Sequence, residues 1–249
     1  MGDRRAGSWA WVGNRGLVAV ALALVATIAA AELTGLDLAV QDLFYDATRG
    51  AWRVSSSAPL PRLLFYQLPK LALALLGVGA LALALWRRPA HRRPGVLARL
   101  PRRQALFLFT TLATVPLTVG LGKQVTGIYC PAEIQRYGGT VPYYGLFEAV
   151  DPEVAAAGRG RCFPAAHASG GFALFAVVFV GRRRLSRAAW GLGAGWVMGL
   201  YQMARGAHYL SHTLVSMLIA GGLTLLLVRA FGLDRGGAER DGEEVRRYG

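Results

Sequence analysis

The stretch GRGRCFPAAHASGGFALFA, residues 158–176, sets a Cys, a Pro and a His directly ahead of a run of small and apolar residues. Whether that run is a buried soluble helix or a membrane span decides the fold. The composition around it answers. Of the 249 residues 54% are hydrophobic, and they fall in long blocks nearly free of charge, which is the composition of a membrane protein. The blocks cover roughly residues 17–33, 71–86, 105–121, 168–181, 188–203 and 210–231. Each approaches the roughly 17 to 25 residues with which a helix crosses hydrocarbon about 30 Å thick. The block after His167 is the shortest and borrows residues from its flanks.

A backbone in lipid must satisfy its own hydrogen bonds, and no alternating barrel strands are present, so the blocks are read as helices. The expected fold is all-α, a polytopic six-transmembrane-helix bundle over residues 17–231. A short segment, 1–16, precedes it and a tail, 232–249, follows.

The formal charge of +14 is concentrated in alternate connections. Arginines cluster before the first block (Arg4, Arg5, Arg15), between the second and third (Arg87 to Arg103), between the fourth and fifth (Arg182, Arg183, Arg184, Arg187) and after the sixth. The positive-inside rule makes these sides cytoplasmic, with both termini inside. Clusters beside spans suit anionic headgroups, and no recognition motif or base-stacking aromatic pattern accompanies them, so no nucleic-acid partner is expected. The first block also resembles a signal peptide, with ATIAAAEL as an imperfect cleavage site; cleavage would leave every later segment on its side.

The first outward connection, about residues 34–67, has the aromatic and apolar spacing of a segment lying at the interface. Its acidic residues are expected to solvate the surface. The second holds both cysteines, Cys130 and Cys162. Two cysteines on the oxidising side are most simply a disulfide; a thiolate nucleophile or a metal pair is the alternative.

Lys123 ends the third block, His167 begins the fourth and His208 lies between the fifth and sixth, so the topology puts all three at one leaflet. Singly, each has a plain structural reading: a snorkelling lysine, a helix-opening histidine, a histidine packed where two helices meet. Together they suit an anionic group, because lysine supplies fixed charge while histidines move protons or attack.

The segments KQVTGIYCP, CFPAAHASGGFALFA and GLYQMARGAHYLSHTL, in that order, resemble the type 2 phosphatidic acid phosphatase (PAP2) superfamily over roughly residues 104–225. Lys123, Pro131, Pro164, His167 and His208 match its motifs. The resemblance implies a membrane lipid-phosphate phosphatase that needs neither metal nor cofactor. In it His208 would be the nucleophile, forming a phosphohistidine, His167 the acid and then the base, and Lys123 a phosphate ligand. The substrate would be a phosphorylated lipid in the bilayer, met at the periplasmic face.

Departures are as plain as matches. Cys130 occupies the first-motif Arg position, Ala165 and Ala166 replace Ser-Gly, Gln202 stands for the third-motif Arg, and His212 replaces the Asp that orients the nucleophile. Arg205, three residues before His208, shares its helical face and is the first candidate replacement cation; Arg136, Arg159 and Arg161 are loop candidates. Glu133, Glu148 and Asp151 are candidate orienting carboxylates beside His212, and Ser169 and Ser211 candidate hydrogen-bond donors. His208 and His212, four apart, are also a possible zinc pair, but HYLSH lacks the glutamate of the common hydrolase motif. Three functions follow: hydrolysis of a lipid phosphate or diphosphate, lipid-to-lipid phosphotransfer on the same fold, or a non-catalytic phospholipid-binding, scaffold or transport protein. Ionisable groups gather at one face and are nearly absent from the spans, which favours chemistry at the surface over transport.

Overall fold

Each apolar block folds as a helix whose ends are set by its breakers. In the computed structural model, which describes residues 13–86, 100–181 and 185–234, α1 (Asn14–Thr34) stops at Gly35, in the left-handed conformation at φ 64°. The short α2 (Leu36–Asp42) follows, then a small antiparallel pair, β1 (Tyr45–Asp46) with β2 (Ala51–Trp52). α3 (Pro59–Arg62) runs through a π-helical turn, Leu63–Gln67, into α4 (Leu68–Leu85). α5 (Arg102–Thr126) stops at Gly127, φ 72°. After α6 (Pro152–Ala157), α7 (Ala166–Phe172) continues as a 3₁₀ helix, Ala173–Phe179. α8 (Ala188–Ala204) and α9 (Leu210–Ala230) complete the order.

Among the described residues four helices are long and apolar enough to cross a membrane: Asn14–Thr34, Pro59–Leu85, the helix beginning at Arg102, and Leu210–Ala230. The apolar helices Ala166–Phe179 and Ala188–Ala204 are shorter. The basic segments 87–99 and 182–184, most of segment 1–16 and most of tail 232–249 lie outside the described residues.

α5, α7 and α9 pack on one another, with α8 against α7, α4 against α5 and α1 against α9. Val115, Ala168, Phe172 and Ala220 fill the centre. Large apolar side chains face outward along the same helices, among them Leu22, Leu75, Val78, Leu117, Leu121 and Trp190. Such a surface suits hydrocarbon and would aggregate in water. α8 approaches its neighbours through glycine: a Cβ on Gly195 would meet the Phe172 ring at 2.1 Å, and one on Gly199 would meet Thr213 at 2.5 Å. With no hydrophobic force between helices in lipid, such backbone approach supplies the packing.

The connection at about residues 34–67 differs from its expectation. Its acidic residues do not simply solvate the surface. Asp37 is 5% exposed; its Oδ1 accepts the Ser211 N–H at 2.8 Å and its Oδ2 accepts the Ser211 hydroxyl. Asp42 accepts two bonds from Arg136, at 2.9 and 2.7 Å, and one from the Tyr137 hydroxyl at 2.9 Å. These carboxylates tie α2 to the first turn of α9 and to the long loop. Alternation and composition could not show this, because the partners lie more than 90 residues away in the chain.

Candidate active site

Hydrogen bonds to backbone carbonyls bring the three motif segments to one end of the α5, α7 and α9 core. The Thr126 hydroxyl, just past Lys123, donates to the Phe163 carbonyl at 2.6 Å, and the Cys162 N–H donates to the Ile128 carbonyl at 2.8 Å. The Ala165 N–H donates to the His212 carbonyl at 3.2 Å. Cys130 and Cys162 are joined by a disulfide, which closes the loop on itself. The approach to His208 is fixed by Gly206, at φ 72°, packed so tightly on Trp52 that a Cβ would meet the indole at 2.4 Å. Only glycine fits both demands.

His208 is 3% exposed. Its Nδ1 lies 3.5 Å from the Cys162 sulfur, and its ring centroid is 5.8 Å from that of His212. Burial holds the His208 pKa well below the usual histidine value, and the charges of His212, Lys123 and His167 push in the same direction. The ring is therefore neutral near pH 7. Lys123 and His167 thus stand close enough to His208 to act on its charge.

His167, half-buried, opens α7 with its ring centroid 4.2 Å from that of Tyr66. Lys123, Lys70 and Arg205 all act on its charge. His167 and Lys70 also line a cavity of about 540 Å³ whose remaining walls are apolar and come mainly from α4, α5 and α7, including Leu73, Phe109, Leu112 and Met198. Both the volume and the lining, apolar with a few convergent polar groups, are those of a small-molecule site.

Arg205 caps α8 and lies with its guanidinium carbon 5.9 Å from the Tyr201 ring centroid. Its Nε is buried without a hydrogen-bond partner among the described residues, so a donor is available there. The other replacement cations are placed differently. Arg136 is held by Asp42, Arg159 donates to the Val125 carbonyl, and Arg161 is exposed.

The acidic candidates are engaged within the loop. Glu133 accepts the Cys130 N–H at 2.5 Å, Asp151 accepts the Tyr144 hydroxyl at 2.8 Å, and Glu148 accepts the Gly145 N–H at 2.7 Å. Ser211 donates to Asp37, and the Ser169 hydroxyl donates to the Ala166 carbonyl at 2.7 Å. At His208 the neighbour of Nδ1 is thus a disulfide sulfur. His212 is buried among Phe163, Tyr209 and His208, and its Nδ1 lacks a partner among the described residues. It lines a cavity of about 20 Å³, shared with Asp37, Tyr143, Tyr209 and Ser211, which is room for one water.

Ligand atoms of Cys162, His208 and His212 lie within 4.8 Å of one another. The bond to Cys130 takes the thiolate away, leaving two histidines, fewer than the three protein ligands of catalytic zinc sites. In the disulfide form this donor set does not fit a zinc centre.

Three residues near the site went unread in the sequence: Tyr66, Lys70 and Asp37. The one available signal was the placement of Tyr66 and Lys70 four residues apart, on one helical face just ahead of the second block. No curated protein and no solved structure matches the chain. The family model of the PAP2 superfamily, which generally comprises phosphatases, matches residues 104–235, a segment containing Lys123, His167, His208 and His212. That match covers more than half of the chain, and the chain belongs to the PAP2 superfamily.

Proposed function

We propose that this protein is an integral membrane phosphatase that hydrolyses a lipid phosphate or diphosphate through a phosphohistidine on His208. The single observation that carries the reading is the gathering of Lys123, His167 and His208, from three separate segments, into one cluster inside a PAP2 superfamily chain. A neutral, buried His208 is the form of histidine able to attack phosphorus. With Nδ1 against the Cys162 sulfur, Nε2 is the nitrogen for that attack.

In the first step an N–P bond forms at His208 while the P–O bond to the lipid breaks, and His167 gives its proton to the leaving oxygen. In the second, His167 takes a proton from water as the water oxygen attacks phosphorus. The N–P bond breaks, and inorganic phosphate leaves. Lys123 and Arg205 hold the equatorial oxygens, where charge is spread in the transition state. The hydrocarbon chain of the substrate occupies the apolar cavity beside His167. No metal takes part.

The same reading places six spans over residues 17–231, both termini in the cytoplasm and the site at the periplasmic face of a bacterial-type inner membrane. The arginine clusters support the orientation. The 3₁₀ half of Ala166–Phe179 supports the fourth span: at about 2.0 Å of rise per residue against 1.5 Å for an α-helix, the segment reaches further than its length suggests.

The test is phosphate release by purified protein from undecaprenyl diphosphate, phosphatidylglycerophosphate, phosphatidic acid and lipid A. His208→Ala is expected at background, and His167→Ala about 10²- to 10⁴-fold below the parent. Parent-like rates in both variants would sink the mechanism. The losses at Cys130, Ala165, Ala166 and Gln202 favour a second reading, a non-catalytic phospholipid-binding protein, which silence of the parent on every lipid would support. Appearance of the phosphate on an added acceptor lipid would mark a phosphotransferase.

A further inference from the structure

The motif positions supply fewer cations than the phosphate of this reaction needs, and the first turns of the α3 and α4 helix sit where another is wanted. The π-helical turn Leu63–Gln67 carries two aromatic side chains, one against α7 and one against α8. Tyr66 lies on the His167 ring at 4.2 Å, and Phe65 lies 5.6 Å from Tyr201, the residue over which Arg205 rests. π-helical turns often mark functional positions, because the extra residue re-aims side chains that an unbroken α-helix would point elsewhere. Four residues after Tyr66, on the same face, Lys70 enters the wall of the cavity that His167 lines. α4 and α7 approach closely there: a Cβ on Gly170 would lie 3.2 Å from Leu73.

We propose that Lys70 is a phosphate-binding residue, replacing charge lost at Cys130 and Gln202, and that Tyr66 is a positioning residue that holds the His167 ring. The proposal rests on the phosphatase reading above. Lys70 stands at the polar end of an otherwise apolar cavity, so a lipid whose chain fills the cavity presents its phosphate between Lys70 and His167. Tyr66 touches His167 by its ring, and it acts through that contact rather than on the substrate.

The experiment compares the parent with Lys70→Met, Lys70→Arg, Tyr66→Phe, Tyr66→Ala and His208→Ala in detergent, each shown monodisperse. Two readouts are taken: turnover of phosphatidic acid and undecaprenyl diphosphate, and thermal shift by orthovanadate, which mimics the transferring phosphoryl group without turnover. Lys70→Met, which keeps the apolar stem, is expected to raise KM and weaken vanadate binding roughly 10- to 100-fold, the range for one charge-assisted hydrogen bond, and Lys70→Arg to recover most of both. Tyr66→Ala is expected to lower kcat and move the pH limb that reports His167 with little change in KM, while Tyr66→Phe stays close to the parent. Equal KM and equal vanadate affinity in Lys70→Met and the parent would overturn the lysine assignment, as would a parent that binds no vanadate. An unmoved pH limb in Tyr66→Ala would overturn the tyrosine assignment. A parent that binds vanadate in a Lys70-dependent way yet releases no phosphate would remove the phosphatase reading and leave Lys70 standing.

Discussion

At His208 burial removes the water that would stabilise a protonated ring, and the surrounding His212, Lys123 and His167 charges oppose protonation further. The His208 ring therefore stays neutral well below the usual histidine pKa of about 6.5. With His208 as the proposed nucleophile, the acidic limb it contributes to a kcat/KM profile measured from pH 4 to 9 is expected below pH 6.5; a limb at or above that value would contradict the proposed role of the buried ring. Asp37 obeys the opposite sign. Burial raises its pKa, and the Glu32 charge adds to this, against the lowering effect of the Ser211 hydrogen bonds. A carboxyl group raised above its unfolded value of about 3.9 contributes its full stability below that pH and loses it as pH rises through the folded pKa. Relative to Asp37→Asn, the parent is expected to lose melting temperature as pH rises from 4, and parallel curves would refute this. Asp37→Ala also strips the first turn of α9 of its carboxylate partner, at a cost of about 1 to 2 kcal/mol in denaturant unfolding.

The helices themselves were legible at sequence scale, since charge-free blocks bounded by glycine, proline and arginine have few other solutions in lipid. The blocks at 17–33 and 210–231 became Asn14–Thr34 and Leu210–Ala230, within three residues at every end. The second helix began earlier than its block, at Pro59, because Tyr66, Gln67 and Lys70 break apolarity without breaking helix. The way α8 seats against its neighbours was invisible, because GLGAGWVMG contains glycines with different surroundings. Gly195 faces Phe172, whereas a Cβ on Gly193 would meet nothing within 4 Å. Gly195→Ala is expected to destabilise by about 1 to 3 kcal/mol through overpacking, and Gly193→Ala to be neutral or stabilising by up to about 1 kcal/mol. Equal melting temperatures for the two variants would show that α8 does not pack on α7 through this glycine.

Across the whole molecule, the end of the bundle that carries the candidate site is held by the Cys130–Cys162 disulfide, by Asp37 and Asp42 from the first connection, and by aromatic packing of Tyr45 and Trp52 on Tyr137. The disulfide spans a separation of 32 residues. By chain entropy, closing such a loop is worth about 4 kcal/mol, and the Cys162 sulfur also touches His208. Treatment with a thiol reductant is therefore expected to lower both melting temperature and phosphate release, with partial recovery on reoxidation. Full activity of the reduced protein would show that the loop holds its shape without the bond.

By itself the sequence determined the helical membrane class, the positions of the apolar helices and the family motifs in which Lys123, His167 and His208 lie, because hydropathy, helix breakers and motif order are all local properties of the chain. Only the tertiary structure decided which replacements reach that set. Arg205 was brought to it and Arg136 was taken away by Asp42; Lys70 and Tyr66 arrived from α4 and the π-helical turn, while Asp37 from α2 reached Ser211, in the small cavity that His212 lines. The physical reason is range. A helix is written by neighbours a turn apart, whereas the candidate site is written by side chains whose partners lie tens to hundreds of residues away and meet only when the bundle closes.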